Sequence, residues 1–280
     1  GIVAAAVASL FAGELAHAHI PGGTAMRALV FLVIATTVTL QGLTAGLVAS
    51  QLKLRLPART GFLVLGANPL GRLIATALVR AGARVTMLDS NPEACAAARA
   101  DGLEVVQGDA LATATQLAAG VELVQYAVGL TPNEHINYLF ARRVDREQRG
   151  PELQIALERH DRGITVAVAE HDDIEVLFGA EVDLLAWLDR ARRGEVTTRR
   201  YQRVRVPPDD AGLAGWPLDT ALPIARLRAG EVALITRRVE LRVDDELVVV
   251  ISPAAEAAAE TWLDQRGWRA TPPAADEAAR

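Results

Sequence analysis

The pattern of apolar and polar positions divides the chain into three regimes. Before Pro57 the apolar residues run almost unbroken, and only Glu14, Arg27, Lys53 and Arg55 carry charge. Ala28 to Ala49 carries none, and it is long enough to cross a hydrocarbon core, which takes about 20 residues of helix. Its polar positions are Thr36, Thr37, Thr39, Gln41 and Thr44. Threonine hydroxyls bond back to helical carbonyls at little cost, and Gln41 is expected to face another helix. Gly1 to Leu15 reads as the remainder of an earlier span, and the stretch from His17 to Gly23, with its Pro21-Gly-Gly, as a short loop. Lys53, Arg55 and Arg59 follow the second span, so the positive-inside rule puts that end in the cytoplasm. The expectation is a multi-pass protein of the cell (inner) membrane, with residues 57–280 cytoplasmic. Two competing readings are weaker. A signal peptide lacks its charged first region, and an uncharged stretch of this length is rare in a soluble core.

After Thr60 the pattern changes to short apolar runs alternating with stretches of helical period. Phe62-Leu-Val-Leu65 lies between Gly61 and Gly66 and reads as a buried parallel strand. Gly66-Ala-Asn68-Pro-Leu-Gly71 follows, and Leu70, Leu73, Ile74, Ala77, Leu78 and Ala81 then recur at helical spacing. Arg84–Leu88, Glu104–Gln107, Leu123–Val128 and Leu153–Leu157 read as further strands. Strands alternating with helices build a parallel sheet covered on both faces. The expected class is α/β, a Rossmann-like doubly wound sheet.

Strand, glycine turn, helix, strand and acid in this order carry a chemistry. Gly66 permits the tight turn, Gly71 lets the helix pack close, and the helix N-terminus presents N–H groups and a positive dipole end to a phosphate. Asp89, 18 residues beyond Gly71, is placed to accept from ribose hydroxyls, with Ser90 beside it. Asn68 stands where the usual motif has its middle glycine. Asparagine tolerates left-handed backbone angles, so the turn survives, while its side chain either repels a pyrophosphate or bonds to it. Asp89 repels a 2′-phosphate and no arginine adjoins it, so NADP is disfavoured against NAD(H), ATP, ADP or AMP. Ligands of such sheets bind at the carboxyl ends of the strands, where Asp109, Thr131, Asn133 and Arg159 also fall. Thr131-Pro132-Asn133-Glu134 reads as a capping box with Pro at the first helical position. Capping alone and capping with ligand contact both stay open for it.

Composition narrows the classes. A net charge of −5 over 280 residues argues against nucleic acid, which needs a basic stripe. One cysteine, Cys95, excludes an internal disulfide and a cysteine-rich zinc site, and most lone cysteines act as small apolar side chains. An NAD-dependent dehydrogenase would need a proton-transfer residue in a cleft. His135, His160 and His171 are the candidates, and the region after Tyr201 is small for a catalytic domain. Thr37-Val-Thr-Leu-Gln-Gly42 faintly echoes a carbonyl selectivity filter. Only Leu43 to Ser50 follow it, too few for a pore-lining helix.

Gly66–Gly71, Asp89-Ser-Asn-Pro-Glu93, Gly108-Asp-Ala110 and Thr131–Glu134 together resemble the RCK (TrkA-N) nucleotide-binding domain, over roughly Thr60 to Gly179. Such domains regulate potassium channels, potassium uptake systems and some cation:proton antiporters. Gly1–Ala6 and Val38–Thr44 resemble the last two membrane helices of sodium/proton antiporters of the cation:proton antiporter superfamily. The resemblance implies a preceding transport domain that carries the ion-binding acids. It also implies a homodimer through the RCK domains, and a regulatory rather than catalytic role without a metal site. The alternative within it is a membrane-tethered regulator of potassium transport.

The third regime begins after a helix and linker over Trp187–Arg200, which contains Gly194. Val204-Arg-Val-Pro-Pro208 starts a different pattern. Glu231–Ile235, Val239–Val243 and Glu246–Ile251 read as strands with a turn at Asp244-Asp245, and Ala254–Trp268 as a final helix. Leu213–Leu218 and Asp244–Leu247 resemble, more loosely, the small RCK C-terminal (TrkA-C) domain. The expected organisation is transmembrane helices over 1–56, the Rossmann domain over 57–185, a linker helix over 186–200, a small α+β domain over 201–268 and a disordered tail over 269–280.

Overall fold

The structure is a computed structural model that describes residues 2–51, 59–148, 150–159, 163–207, 212 and 215–271. The chain divides into two compact units between Ala58 and Arg59.

In the first unit, α1 (Ile2–His17) and α2 (Gly23–Gln51) pack together through small residues. Ala8 and Ala12 are the buried positions of α1, and a Cβ on Gly23 would sit 3.0 Å from the Ala12 carbonyl oxygen. Small side chains let two backbones approach this closely. The large apolar residues, among them Leu10, Phe11, Leu29, Phe31, Leu32 and Leu40, are exposed. Gly23–Gly46 is long and apolar enough to cross a membrane, and none of that stretch is buried. Thr37 Oγ1 donates to the Val33 carbonyl (2.8 Å) and Thr44 Oγ1 to the Leu40 carbonyl (2.7 Å), the back-bonding expected of them. The loop is tighter than the His17–Gly23 expected, because both end residues are helical. The linker at 52–58 lies outside the described residues.

The second unit starts with six parallel strands: β1 (Phe62–Leu65), β2 (Val85–Asp89), β3 (Glu104–Gln107), β4 (Tyr126–Gly129), β5 (Glu152–Ile155) and β6 (Ile174–Val176), in the order β3-β2-β1-β4-β5-β6. β1 and β4 are buried along their whole length, which is why they read as unbroken apolar runs. α3 (Pro69–Arg80), α4 (Pro92–Ala100) and α8 (Leu184–Arg192) cover one face. α5 (Thr113–Ala118), α6 (Glu134–Gln148) and α7 (Val166–His171) cover the other. The doubly wound α/β class is therefore as expected.

A five-stranded antiparallel sheet follows: β7 (Thr197–Arg203), β8 (Ala221–Arg228), β9 (Glu231–Leu234), β10 (Glu246–Ile251) and β11 (Trp268–Ala270), in the order β11-β7-β10-β8-β9. One face of it, with Leu222, Ile224, Leu234, Val248 and Val250, joins the core of α3 and α8. The other face packs Tyr201, Val249 and Ile251 against Trp216, Trp268 and α9 (Glu256–Gln265).

Four readings of this region are corrected. Trp187–Arg200 is not one helix and linker, since the chain turns at Gly194 and pairs with β10 from Thr197 onward. Val239–Val243 is not a strand. Arginine side chains take its carbonyls: Arg228 Nη2 donates to the Glu240 oxygen and Arg203 Nη1 to the Leu241 oxygen. β8 was not foreseen, and it contains Pro223, a residue that is unusual within a strand. Pro223 sits beside a bulge, where the register shifts between Val248 and Val249, in the stretch of β8 that β9 does not reach. The final helix stops at Gln265, and Trp268 belongs to β11, where it pairs with Arg203 of β7. Of the expected tail, Arg269 and Ala270 are also in β11, and 272–280 lie outside the described residues. Pro208, Leu213 and Ala214 lie outside them too.

Candidate functional site

β1 and β4 are neighbours, but the helices that follow them lie on opposite faces of the sheet. The two chains therefore diverge beyond the strand ends and open a crevice, the usual ligand position in such sheets. Residues 66–71 form one wall. Gly66 has φ +113°, and a Cβ there would stand 2.8 Å from the Leu130 carbonyl oxygen. Both the backbone angle and the space exclude a side chain. A Cβ on Gly71 would collide with the Gly66 carbonyl oxygen, so the loop can fold back onto α3 only with glycine there.

Asn68 is not left-handed, as its tolerance of that region had suggested. It is extended, with φ −68° and ψ 168°. Its Oδ1 accepts from the Gly71 N–H (2.8 Å) and caps α3, while Nδ2 donates to the Leu130 carbonyl (2.7 Å) across the crevice. The side chain therefore staples the β1 loop to the end of β4, and both its polar atoms are engaged by protein. The first turn of α3 is less open than expected. Pro69 has no N–H, Gly71 donates to Asn68 Oδ1 and Arg72 to the Asn68 carbonyl. Leu70 carries the remaining N–H of that turn.

Asp89 ends β2 and is half-buried. Its Oδ2 accepts from the Ala67 N–H (2.7 Å) and its Oδ1 from the Asn91 N–H (2.9 Å). The acid thus holds the glycine loop against β2. Each carboxylate oxygen keeps a further lone pair for an outside donor. Ser90 is exposed beside it. The Gly108 N–H donates to the Asp89 carbonyl, which brings the end of β3 alongside, and Asp109 there is exposed and turns back on the Leu111 N–H (2.9 Å). This rim is acidic, with Asp89 and Asp109 at successive strand ends.

The β4 side is built by a residue the sequence did not single out. Asn137 is fully buried. Its Oδ1 accepts from the Thr131 N–H and hydroxyl, and its Nδ2 donates to the Thr131 and Ala156 carbonyls. It thereby joins the ends of β4 and β5. A Cβ on Gly129 would lie 2.7 Å from Asn137 Cβ, so a glycine is needed where α6 approaches the sheet. The capping box is corrected here. α6 starts at Glu134, and the cap is Asn133, whose Oδ1 accepts from the His135 and Ile136 N–H groups (3.1 and 3.3 Å). Glu134 does not reach back to the cap; it is buried and accepts from the Ile164 N–H (2.9 Å). Asn137 had no sequence signal, because a lone asparagine inside an amphipathic helix reads as a surface residue.

Gly66, Asn68, Asp89 and Thr131 therefore meet at the crevice, with Ser90 and Asp109 along its rim. Arg159 is directed elsewhere. Its guanidinium pairs with Asp219 (2.8 Å), whose backbone carbonyl accepts from Arg190 (2.6 Å). His135 and His171 are exposed on helix ends, and His160 lies outside the described residues. Cys95 is buried, and burial pushes its thiol up, with the Asp89 carboxylate adding to it. This is the reverse of a reactive thiolate.

Residues 62–183 match the family model of the TrkA-N domain. Solved structures with a related chain path include the TrkA-N domain of the inner membrane protein ybaL from Escherichia coli, at 15% identity over 43% of this chain and 87% of that one, with a TM-score of 0.38. The NAD(P)-binding domain of an exopolyphosphatase-related protein from Archaeoglobus fulgidus is 15% identical over 49% of this chain and 96% of that one, TM-score 0.38. The GsuK channel bound to NAD is 15% identical over 86% of this chain and 48% of the channel chain, TM-score 0.38. No curated protein matches.

Proposed function

We propose that this chain is the nucleotide-binding, regulatory end of a membrane cation:proton antiporter. The observation that carries the reading is Asp89 at the switch point of a TrkA-N domain, in one chain with an apolar helix fit to cross a membrane. In this reading the ribose hydroxyls of an adenine nucleotide donate to the spare lone pairs of Asp89. The phosphates approach over Gly66, where no side chain intervenes, toward the Leu70 N–H at the start of α3. The Asp89–Asp109 rim repels a 2′-phosphate, so NAD(H) or ATP, ADP or AMP is favoured over NADP. The chain catalyses nothing itself. Binding selects one arrangement of a homodimer of RCK domains, and the linker at 52–58 carries the bias to the last membrane helix. A ligand shifts such an equilibrium only by its differential affinity for the two arrangements. The second sheet acts as the TrkA-C-like regulatory and dimerisation module.

The test is a titration of the full chain in detergent micelles with NADH, NADPH, ATP and AMP, for wild type and Asp89→Asn. The variant keeps the oxygen that accepts from Ala67 and loses the charge. At least about tenfold weaker binding is expected, the scale of a hydrogen bond to a charged group. Equal affinity of both proteins for every nucleotide would show that the ribose site is assigned wrongly.

A further inference from the structure

Both ends of α6 are tied to residues elsewhere in the fold. Its start forms the β4 side of the crevice through Asn133 and Asn137. Its last carbonyls have no partner within the helix. One of them, that of Gln148, accepts from Arg59 Nη2 (3.2 Å), 89 residues away. Arg59 Nε donates to the Glu122 carbonyl (3.1 Å) in the loop before β4, and the Thr60 N–H donates to the Leu123 carbonyl (3.0 Å) beside it. A cation suits a helix C-terminus, where the peptide dipoles sum to a partial negative charge. Gly150 leaves the room: its φ is +149°, and a Cβ there would fall on the guanidinium. Arg59 therefore sits in a socket made of two backbone carbonyls and a glycine.

Arg59 is also the first described residue after 52–58, the stretch that joins the two units. The carbonyls at a helix end are commonly satisfied by the residues that follow the helix. Here a donor comes instead from the boundary between the units. The socket thus fixes the entry of the chain into the second unit to the end of α6 that lies away from the crevice. α6 has 15 residues, about 22 Å from end to end. Phe140, Ala141 and Val144 on its inner face are fully buried against the sheet. Close-packed interiors of this kind are hard to compress and pass strain on.

We propose that Arg59 is the residue through which the crevice and the linker bias each other, an inference that rests on the reading of the crevice as a nucleotide site. A nucleotide held between Asp89 and Thr131 steadies the start of α6, the helix keeps its last carbonyls in place, and Arg59 stays seated. Without nucleotide Arg59 leaves the socket more often, and the junction with the linker is released. Arg59 touches no ligand in this scheme and acts as a positioning residue.

The experiment is limited trypsin digestion of the full chain in detergent micelles, with and without saturating NADH or ATP, following the fragment that begins at Thr60. Cleavage after residue 59 needs its side chain to leave the socket for the protease, so its rate reports the open population. Gly150→Ala fills the socket and leaves Arg59 in place. Arg59→Lys keeps the cleavage site but replaces the planar fork that spans two carbonyls by a point charge. In wild type the nucleotide is expected to slow this cleavage about fivefold or more, the lower end of ordinary coupling between sites. In both variants cleavage is expected to be faster and indifferent to nucleotide. Coupling is reciprocal, so both variants are also expected to bind the nucleotide about fivefold or more weakly. A helix cap with a purely structural role would lower the melting temperature and leave nucleotide affinity alone. Two results would overturn the proposal: a nucleotide that binds wild type without slowing cleavage after Arg59, or wild-type affinity in the variants. Wild type that binds no nucleotide would sink the reading of the crevice and this inference with it, whereas the other two results sink this one alone. If Gly150→Ala fails to fold, Arg59→Lys decides the matter.

Discussion

Replacing Asn68 by alanine removes two hydrogen bonds that close the crevice loop. The first is the cap, Oδ1 to the Gly71 N–H at 2.8 Å, and loss of such a cap costs about 1 kcal/mol. The second is Nδ2 to the Leu130 carbonyl at 2.7 Å, a neutral bond of about 1 kcal/mol. Alanine satisfies neither group, so the combined loss is about 2 kcal/mol. For a cooperative unit of this size the melting temperature falls by about 2–4 °C per kcal/mol, hence about 4–8 °C in all. Serine separates the two contributions. It remains a good N-cap but is too short to reach Leu130, so Asn68→Ser is expected to lose about half as much. The assay is thermal unfolding of the full chain in micelles followed by near-ultraviolet circular dichroism, with wild type, Asn68→Ser and Asn68→Ala side by side. Should Asn68→Ala melt within about 1 °C of wild type, the staple contributes nothing and the account of the loop is wrong. If Ser and Ala lose the same amount, the cap is idle and the link to Leu130 carries the whole effect.

Three further outcomes are expected. Asp245 is buried and accepts from Arg228 Nε (2.6 Å) and Nη2 (2.7 Å) and from the Arg242 N–H (2.6 Å), so Arg228→Met strands a buried carboxylate at a cost of about 3–5 kcal/mol, measurable by urea denaturation. Burial by itself raises the Asp245 carboxyl, but the bonds from Arg228 and Arg242 outweigh it and hold the group below its ordinary value. Its stabilisation is therefore present above the unfolded value, about 3.9, and is lost as pH falls through the lower folded value; the acid transition of Arg228→Met should lie at higher pH. Gly129→Ala drives a methyl group into Asn137 and is expected to destabilise by about 1–3 kcal/mol, with a matching fall in melting temperature. Burial pushes Tyr126 and Tyr201 up to about 12. Their raised folded values place the contribution fully below about pH 10, with loss as pH rises through the folded values; an ultraviolet pH titration that shows tyrosinate well below pH 10 in the folded chain would contradict this.

Much of the second unit was legible because its signals are local. A buried parallel strand is an apolar run bounded by glycine, and the strands at Phe62, Val85 and Glu104 emerged within a residue of their expected places. Asp89 at a strand end followed from its distance to the glycine loop. The C-terminal sheet was less readable. β7 carries Thr-Thr-Arg-Arg and looks like a linker until β10 and β11 pair with it, and β8 contains a proline that only the bulge accommodates. Arg228, Arg203 and Asp245 replace strand pairing around Glu240 and Leu241, and long-range side-chain-to-backbone bonds of that kind leave no periodicity in the chain.

Sequence alone determined what depends on near neighbours: an uncharged stretch long enough for a membrane, the alternation that makes a parallel sheet, and the glycines that a tight turn needs. Tertiary structure decided what depends on partners far away in the chain. It turned Asn68 from a tolerated substitute for glycine into a staple on Leu130, 62 residues away. It took Arg159 out of the crevice by giving it Asp219, and seated Arg59 on the Gln148 carbonyl, 89 residues away. The physical reason is the same in each case: a polar side chain is assigned by whichever group desolvates with it, and that group is chosen by packing rather than by sequence spacing.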